Sequence, residues 1–229
     1  MKTQKPLKMQ KTDIIEPDFT HEDPWRIFRI MSEFVDGFDA LSNIGQAVSI
    51  FGSSRAKRGS YYCKQAETTA AAFVKAGYAV ITGAGPGIME AANKGAKEAG
   101  GESVGLNILI PSQQKANRYV TKLLEFDYFF CRKVMFLKYS KAFIFFPGGY
   151  GTLDEFAEVI TLIQTRRVRP FPSVIYGTPY WKDFLGWLKN TAVKANTITR
   201  ADLDLFKTAD RPEDVVKIIQ DFYRQQPRG

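Results

Sequence analysis

Short apolar runs alternate with amphipathic stretches along most of the chain. The runs Ala47–Phe51 and Ala142–Phe146 are almost entirely apolar, which indicates strands buried on both faces of a sheet. Between such runs, apolar residues recur at the spacing of an α-helix, as they do from about Tyr61 to Lys75. The further predicted strands cover Tyr78–Thr82, Ser103–Ile110, Leu123–Phe130 and Ser173–Tyr176, and the further predicted helices cover about Ile88–Ala99, Thr152–Gln164, Trp181–Lys189 and Pro212–Tyr223, with one more beginning near Cys131.

A helix is also predicted ahead of the first strand. Asp23 is suited to cap this helix, and Pro24 is suited to its first position. Strands that alternate with helices predict an α/β fold: a doubly wound, Rossmann-like parallel sheet with helices on both faces, plus this N-terminal helix. The apolar residues of the N-terminal helix recur at helical spacing, at Ile27, Ile30, Met31, Phe34, Val35, Phe38 and Leu41.

Glycine-rich turns follow three of the predicted strands, at Gly52–Arg55, Gly83–Gly87 and Gly148–Thr152. In a doubly wound sheet, ligands bind beyond the carboxyl ends of the strands, where these turns lie. The glycine spacing in the second turn departs from the G-x-G-x-x-G fingerprint of dinucleotide sites. That turn therefore fits a tight strand-to-helix connection as well as it fits a ligand contact.

The turn Gly148-Gly149-Tyr150-Gly151-Thr152 carries the strongest chemical signal. Its glycines let backbone N–H groups approach an anion, and the helix N-terminus predicted behind it favours phosphate. Thr152 is suited to cap that helix. Asp154 and Glu155 then fall in the first helical turn, where they either complement the helix dipole or include a catalytic base. No Lys-Ser/Thr pair follows, so the turn is not a Walker loop.

Length and composition suit one sizeable domain. The chain has 229 residues, of which 45% are hydrophobic, enough for a core that needs no disulfides. Residues 1–20 are polar and lack the apolar stretch of a signal peptide, so we expect a mobile tail followed by a single Rossmann-like domain over residues 21–229. Because there are only two cysteines, Cys63 and Cys131, and no apolar run that could span a bilayer, we expect a reduced, cytoplasmic protein.

The scarcity of histidine narrows the chemistry. The only histidine is His21, in the polar tail. Ser-His-Asp and Cys-His nucleophile systems and histidine-rich metal centres are therefore not expected, and we predict no metal site. Acid–base chemistry must then come from carboxylate, Lys, Tyr or Arg side chains.

The formal net charge of +8 is consistent with binding to nucleic acid, with binding to an anionic small substrate, or with a role in solubility alone. The basic residues are spread along the chain, with one cluster at Arg166, Arg167 and Arg169. No nucleic-acid-binding motif surrounds that cluster. A solvated surface is the favoured interpretation, so nucleic acid is not an expected partner.

Residues Pro147–Glu155 fit the pattern P-G-G-x-G-T-x-x-E, and by this signature the chain resembles the LOG family of cytokinin riboside 5'-monophosphate phosphoribohydrolases. Because it has a leading helix, the chain is similar to the longer bacterial branch of that family. Members of the family have often been labelled lysine decarboxylases. The resemblance extends over about Ala47–Ile219, and it includes Gly52-Ser53-Ser54, Gly83–Gly87 with Ile88-Met89-Glu90, and Arg132-Lys133.

The resemblance implies an activity and a set of residues. The activity is hydrolysis of the N-glycosidic bond of AMP or an N6-modified AMP, which releases the free base and ribose 5-phosphate without a cofactor. Arg132 and Glu155 would form the catalytic pair, with Glu155 as the base that also stabilises an oxocarbenium-like sugar and Arg132 as the substrate anchor. Substrate contacts are implied for Gly52, Ser53, Gly83, Gly85, Gly87, Glu90, Gln113, Lys133, Gly148, Gly149, Tyr150, Gly151, Thr152, Asp154 and Thr161.

The chain departs from the family pattern at one point. Members commonly carry a Glu in the loop before the Arg, where this sequence reads Ser112-Gln113-Gln114, and a Gln forms hydrogen bonds but does not take a proton. A non-catalytic protein on the same fold, binding a nucleotide or a molybdenum-cofactor-type ligand, is therefore the alternative. The family also implies a homo-oligomer, for which the apolar helix around Trp181 and Phe184 offers an interface.

Overall fold

Seven parallel strands form one sheet in the computed structural model, which describes residues 24–110 and 115–225. The strands are β1 (Ala47–Phe51), β2 (Ala79–Thr82), β3 (Ser103–Ile108), β4 (Lys122–Phe126), β5 (Ala142–Phe145), β6 (Ser173–Tyr176) and β7 (Lys207–Ala209). Their order across the sheet is β4-β3-β2-β1-β5-β6-β7, and every neighbouring pair is parallel. The predicted doubly wound sheet is confirmed, whereas the predicted tail, Asp23 and Gln113 lie outside the described residues.

Helices cover both faces of the sheet. One face carries α2, α3 and α7, and the other carries α1, α4 and α5. In the described part of the chain, no helix is long and apolar enough to cross a membrane. The helices are α1 (Arg26–Leu41), α2 (Tyr61–Lys75), α3 (Ile88–Glu98), α4 (Phe129–Tyr139), α5 (Tyr150–Gln164), α6 (Thr178–Trp187) and α7 (Pro212–Gln225).

Strand β1 shows why the central strands read as continuous apolar runs. Its residues alternate between two cores, with Ala47 and Phe51 packed on one face and Val48 and Ile50 on the other. Each buried aliphatic or aromatic side chain contributes about 1.5–3 kcal/mol. Burial on both faces therefore requires apolar residues at consecutive positions rather than at alternate ones.

The chain reverses its direction across the sheet between β1 and β5. Strands β2, β3 and β4 are added outward on one side of β1, and the chain then returns to place β5 on the other side, with Phe51 opposite Phe145. The carboxyl ends of β1 and β5 therefore meet at a topological switch point, where ligands bind in such sheets. The turns Gly52–Arg55 and Gly148–Thr152 both lie at this point.

Several predicted boundaries are wrong, and one strand was not predicted. Strand β4 ends at Phe126 rather than Phe130, because the Glu33 carboxylate accepts the next two backbone N–H groups and a helix starts there. Helix α5 begins at Tyr150 rather than Thr152, with Gly149 as its N-cap. Strand β7 was not predicted, since it has three residues and only Ala209 is buried.

Gly95 allows α3 to pack directly on α2. A Cβ atom at this position would lie 2.0 Å from the backbone oxygen of Glu67. We expect Gly95→Ala to lower the free energy of unfolding by about 1–3 kcal/mol, because the two helices must move apart.

The matched control is Gly186→Ala in α6, where the new Cβ meets no atom closer than 4.0 Å. This change should raise the free energy of unfolding by about 0.5–1 kcal/mol, because alanine favours helical backbone more than glycine does. Urea unfolding followed by circular dichroism measures both variants. Equal effects of the two substitutions would contradict the close approach of α2 and α3.

Candidate active site

A cavity of about 690 Å³ opens at the switch point between β1 and β5. That volume lies within the range of about 300–1,000 Å³ typical of small-molecule sites. Its apolar lining includes Met89, Ile108 and Phe136. The structure brings together ten of the predicted site residues along this cavity: Gly52, Ser53, Gly83, Arg132, Gly148, Gly149, Tyr150, Gly151, Thr152 and Glu155.

The glycine turn after β5 folds back onto the helix that follows it. A Cβ at Gly148 would lie 2.0 Å from Thr152 Oγ1, so only glycine fits there. The predicted capping role of Thr152 is wrong, because its buried side chain lies inside α5 and the N-cap Gly149 forms no side-chain cap. The first N–H groups of a helix have no partner within it, so those of α5 are suited to an anion.

Hydrogen bonds hold this turn in place from two sides. The Ser53 backbone N–H donates to the Pro147 carbonyl oxygen at 2.9 Å, which joins the turn after β1 to the turn after β5. The Tyr180 hydroxyl of α6 donates to the Gly148 carbonyl oxygen at 2.8 Å. The backbone of this turn is therefore held in place by contacts within the protein.

Arg132 of α4 and Glu155 of α5 meet at the cavity with little exposure to solvent. Their side chains are 12% and 5% exposed, and Arg132 Nη2 lies 3.9 Å from Glu155 Oε1. That distance is too long for a direct hydrogen bond. The Arg132 Nε is buried and has no hydrogen-bond partner among the described residues. Both groups therefore keep hydrogen-bonding capacity for a third molecule.

The two helices aim these side chains inward. The guanidinium carbon of Arg132 lies 5.0 Å from the centre of the Phe129 ring, a cation–π contact within α4. Glu155 shares the buried face of α5 with Thr152 and Val159, at helical spacing. The prediction that Glu155 lies in the first helical turn is wrong, because α5 starts two residues earlier. Glu155 therefore points into the protein instead of complementing the helix dipole.

Burial changes the ionisation of both groups. It raises the pKa of Glu155 to about 7, although the positive charges of Lys133 and Arg132 oppose this rise. It also lowers the pKa of Arg132, an effect that the nearby Glu155 partly offsets. A carboxyl group that titrates near neutral pH inside a cavity is suited to acid–base catalysis.

A family model described as "Possible lysine decarboxylase" matches residues 89–219, more than half of the chain. The chain belongs to this family. It is the LOG family indicated by the signature Pro147–Glu155, so that prediction is confirmed. Within the described ranges, the structure of this LOG-family chain contains no group of three or more His, Cys, Asp or Glu side chains that could hold a metal ion.

Relatives of this LOG-family chain carry a common name. The cytokinin riboside 5'-monophosphate phosphoribohydrolase LOG1 of Arabidopsis thaliana is 32% identical over 40% of this chain, which spans only 42% of that relative's length. The probable enzyme of this name in Oryza sativa subsp. japonica, LOGL9, is 26% identical over 85% of this chain and 88% of its own. The enzyme of Rhodococcoides fascians is 26% identical over 65% of this chain and 77% of its own.

Solved structures show the same fold. The molybdenum cofactor binding protein of Rippkaea orientalis has a TM-score of 0.55 and 21% identity, covering 77% of this chain and 95% of its own. The molybdenum cofactor carrier protein of Chlamydomonas reinhardtii has a TM-score of 0.55 and 19% identity, covering 79% of this chain and 99% of its own. At such identities the LOG-family chain shares an architecture with these proteins, and no activity follows from it.

The remaining predicted residues lie outside the cavity of this LOG-family member. Lys133 forms ion pairs with Asp154 at 2.8 Å and with Glu158 at 3.0 Å, and Thr161 is exposed on α5. Gly85 belongs to the turn after β2, and its carbonyl oxygen accepts a hydrogen bond from Asn117 at 3.1 Å. The two others, Gly87 and Glu90, line a second cavity.

Two supporting residues were missed in the sequence. The Asn117 side chain donates to the carbonyl oxygen of Ala84 at 2.9 Å, and so fixes the turn after β2, where Ala84 has a φ of +61°. The Glu33 carboxylate of α1 accepts the backbone N–H groups of Asp127 and Tyr128 at 2.7 and 3.3 Å. Glu33 thereby fixes the two residues that lead into α4, the helix that carries Arg132. Neither contact leaves a local signal, because both partners are distant in sequence.

The raised pKa of Glu155 makes its burial costly above neutral pH. Folding raises this pKa from 4.5 to about 7, so the stability that the protonated form contributes is complete below pH 4.5 and is lost as the pH rises through 7. The cost of the buried charge at pH 8 is about 3 kcal/mol. We therefore expect Glu155→Gln to be more stable than the parent protein at pH 8 and equally stable at pH 4, as measured by thermal unfolding.

The control for this experiment is Asp154→Asn, since the Asp154 side chain is 59% exposed. Solvent screens an exposed charge, so this change should alter stability by less than about 1 kcal/mol at either pH. A stabilisation by Glu155→Gln that does not depend on pH would contradict a raised pKa at Glu155.

Proposed function

We propose that the protein hydrolyses the N-glycosidic bond of nucleoside 5'-monophosphates, AMP or N6-modified AMP, to the free base and ribose 5-phosphate. One observation carries this proposal: the cavity joins a helix N-terminus suited to phosphate with a buried carboxyl group whose pKa is about 7. The names of the relatives in plants and bacteria support the same reaction. Metal ions and organic cofactors are not part of the proposed reaction.

The phosphate of the substrate binds the turn Gly148–Thr152 at the start of α5. Backbone N–H groups and the positive end of the helix favour a doubly charged anion there. Because hydrogen bonds from Ser53 and Tyr180 already fix this backbone, the binding energy is available to position the sugar. The N-glycosidic bond then lies near the Arg132–Glu155 pair.

Glu155 acts as the base in the proposed reaction. It orients a water molecule and accepts its proton while the water oxygen bonds to the anomeric carbon and the bond to the base breaks. The proton then passes from Glu155 to the departing base. As the sugar gains positive charge, the ionised carboxylate of Glu155 stabilises it in a site where little solvent screens the charge. Arg132 is free to bind an oxygen of the substrate, because it lies 3.9 Å from Glu155 and leaves its Nε unused in the described structure.

The cavity suits this reaction better than two alternatives. No lysine lines it among the described residues, so it lacks the amine that a pyridoxal-phosphate decarboxylase requires. A carrier protein needs affinity for its ligand but has no use for a buried acid that titrates near neutral pH. The Arg132–Glu155 pair therefore favours catalysis over ligand transport.

Incubation of the purified protein with AMP should release adenine, measured by chromatography. The rate should rise with pH and level off above about pH 7, because the base must be ionised to accept a proton. Adenosine should be a much poorer substrate, since it lacks the phosphate that positions the sugar. Glu155→Gln should lower the rate by about 10²–10⁴-fold and leave AMP binding largely unchanged.

Glu158→Gln is the matched control, because Glu158 lies one turn further along α5 and pairs with Lys133 outside the cavity. Its rate should stay close to that of the parent protein. Tight binding of AMP without release of base from any of a panel of purine and pyrimidine monophosphates would refute the hydrolase and favour the carrier.

The protein is further proposed to be a homo-oligomer, on a surface other than the one predicted. Trp181 of α6 is only 4% exposed and Phe184 packs on Phe156, so much of the predicted aromatic interface lies in the core. Helices α1 and α4 instead pack together and expose large apolar side chains, which soluble monomers rarely gather in one place. These side chains are Ile27, Phe28, Met31, Val35, Phe129, Phe130 and Val134.

Charges placed on this surface should dissociate the oligomer. We expect the double variant Phe28→Glu/Val35→Glu to have a lower mass in light scattering than the parent protein, because two carboxylates would be desolvated at the interface. Tyr61→Glu is the control, since Tyr61 is 61% exposed on α2, on the opposite face of the sheet. A parent protein that is monomeric would rule out the oligomer.

A further inference from the structure

A second cavity of about 520 Å³ lies beside the first. It is formed by α2, by the start of α3, and by the segments that follow β1 and precede β4. Gly87 and Glu90, which the sequence indicated as substrate contacts, line this cavity and not the one that holds Arg132 and Glu155. The two cavities therefore have different linings, and the second is considered separately.

The charges around the second cavity do not balance. Four cationic side chains line it, but only two carboxylates. Arg58 pairs with Glu90, and Lys94 Nζ lies 2.7 Å from a carboxylate oxygen of Glu67. The two remaining cations are Lys64 and Arg118, which come from different parts of the chain.

Among the described residues, neither Lys64 nor Arg118 forms an ion pair with a carboxylate. Lys64 forms no ion pair within the described residues, and Arg118 donates to the hydroxyl of Tyr119 at 2.8 Å rather than to an acid. Gly87, at the N-terminus of the eleven-residue helix α3, also faces the cavity, and a helix N-terminus adds partial positive charge. Cys63 and Ala91 supply a buried apolar lining. The side chains that line the cavity thus carry two more positive than negative charges, and the two cations without an ion pair, Lys64 and Arg118, are open to solvent.

The start of α3 connects the two cavities. Its first turn presents Met89 to the first cavity and Glu90 to the second, and Ser54 lines both. The Ile88 backbone N–H donates to the carbonyl oxygen of Ser53 at 3.1 Å. The same backbone segment therefore borders both cavities.

We propose that this second cavity is a separate binding site for a small phosphorylated anion, with Lys64 and Arg118 as its anchors. An anion with two negative charges neutralises the excess charge of the cavity, and both anchors donate hydrogen bonds to its oxygens. The shared helix turn makes the site a place from which a ligand alters the first cavity. The site does not depend on the reaction proposed for the first cavity.

Calorimetric titration with inorganic pyrophosphate tests this site. The parent protein should bind two equivalents per chain, one in each cavity. The double variant Lys64→Gln/Arg118→Gln should lose one of them, with a Kd raised about tenfold or more. The matched control is Lys75→Gln/Arg167→Gln, which removes the same charge from exposed residues outside both cavities and should bind as the parent protein does.

A Gly151→Asp variant separates the two sites, because it places a negative charge in the phosphate turn of the first cavity, where a new side chain meets no atom within 4 Å. This variant should keep the binding that depends on Lys64 and Arg118. If it loses all binding, or if Lys64→Gln/Arg118→Gln titrates like the parent protein, the second site does not exist. If pyrophosphate binds only through Lys64 and Arg118, the second site stands and the phosphate-binding role of the first cavity fails.

Discussion

The parallel pairing of β1 with β5 is the constraint on which the rest of the site depends. Residues that are almost one hundred positions apart become neighbours there, with Phe51 opposite Phe145. The backbone bonds between the two strands continue past their ends, from the Ser53 N–H to the Pro147 carbonyl. This hydrogen bond joins the glycine turn after β1 to the glycine turn after β5, and together they form one rim of the first cavity. The position of the N-terminus of α5 and the inward face that carries Glu155 both follow from the direction in which the chain leaves that rim.

The same arrangement explains why Arg132 and Glu155 are held near each other without a hydrogen bond between them. Each projects from its own helix, and the two helices are fixed by independent contacts with the core. If the two side chains lay closer, they would hydrogen-bond to each other and leave fewer donors and acceptors for a ligand. If they lay farther apart, each would be an isolated buried charge. The 3.9 Å separation lies between these cases. Burial of the Glu155 carboxyl group raises its pKa and so lowers stability above neutral pH, a cost that is common at functional sites.

Much of the fold could be predicted from the sequence, because each central strand is buried on both faces and each helix has its own apolar face. The glycine turns and the cavity residues around Gly148–Thr152 were also predictable, since ligands in such sheets bind beyond the carboxyl ends of the strands, where these turns lie. Helix boundaries set by distant groups were not, and β4 ended early because of Glu33, nearly a hundred residues away. The contacts of Asn117 and the charge imbalance around Lys64 could not be predicted either, because they arise only when distant segments of the chain meet.

The contact of Glu33 with the segment that leads into α4 has a consequence for the order of folding. Glu33 and Tyr128 are 95 residues apart, and four strands lie between them. A contact of such separation carries a high entropic cost until the intervening sheet has formed. We therefore expect the N-terminus of α4, and with it the position of Arg132, to be completed late, when α1 packs onto the sheet. In that order of events, the hydrophobic core forms before Arg132 reaches its position in the cavity.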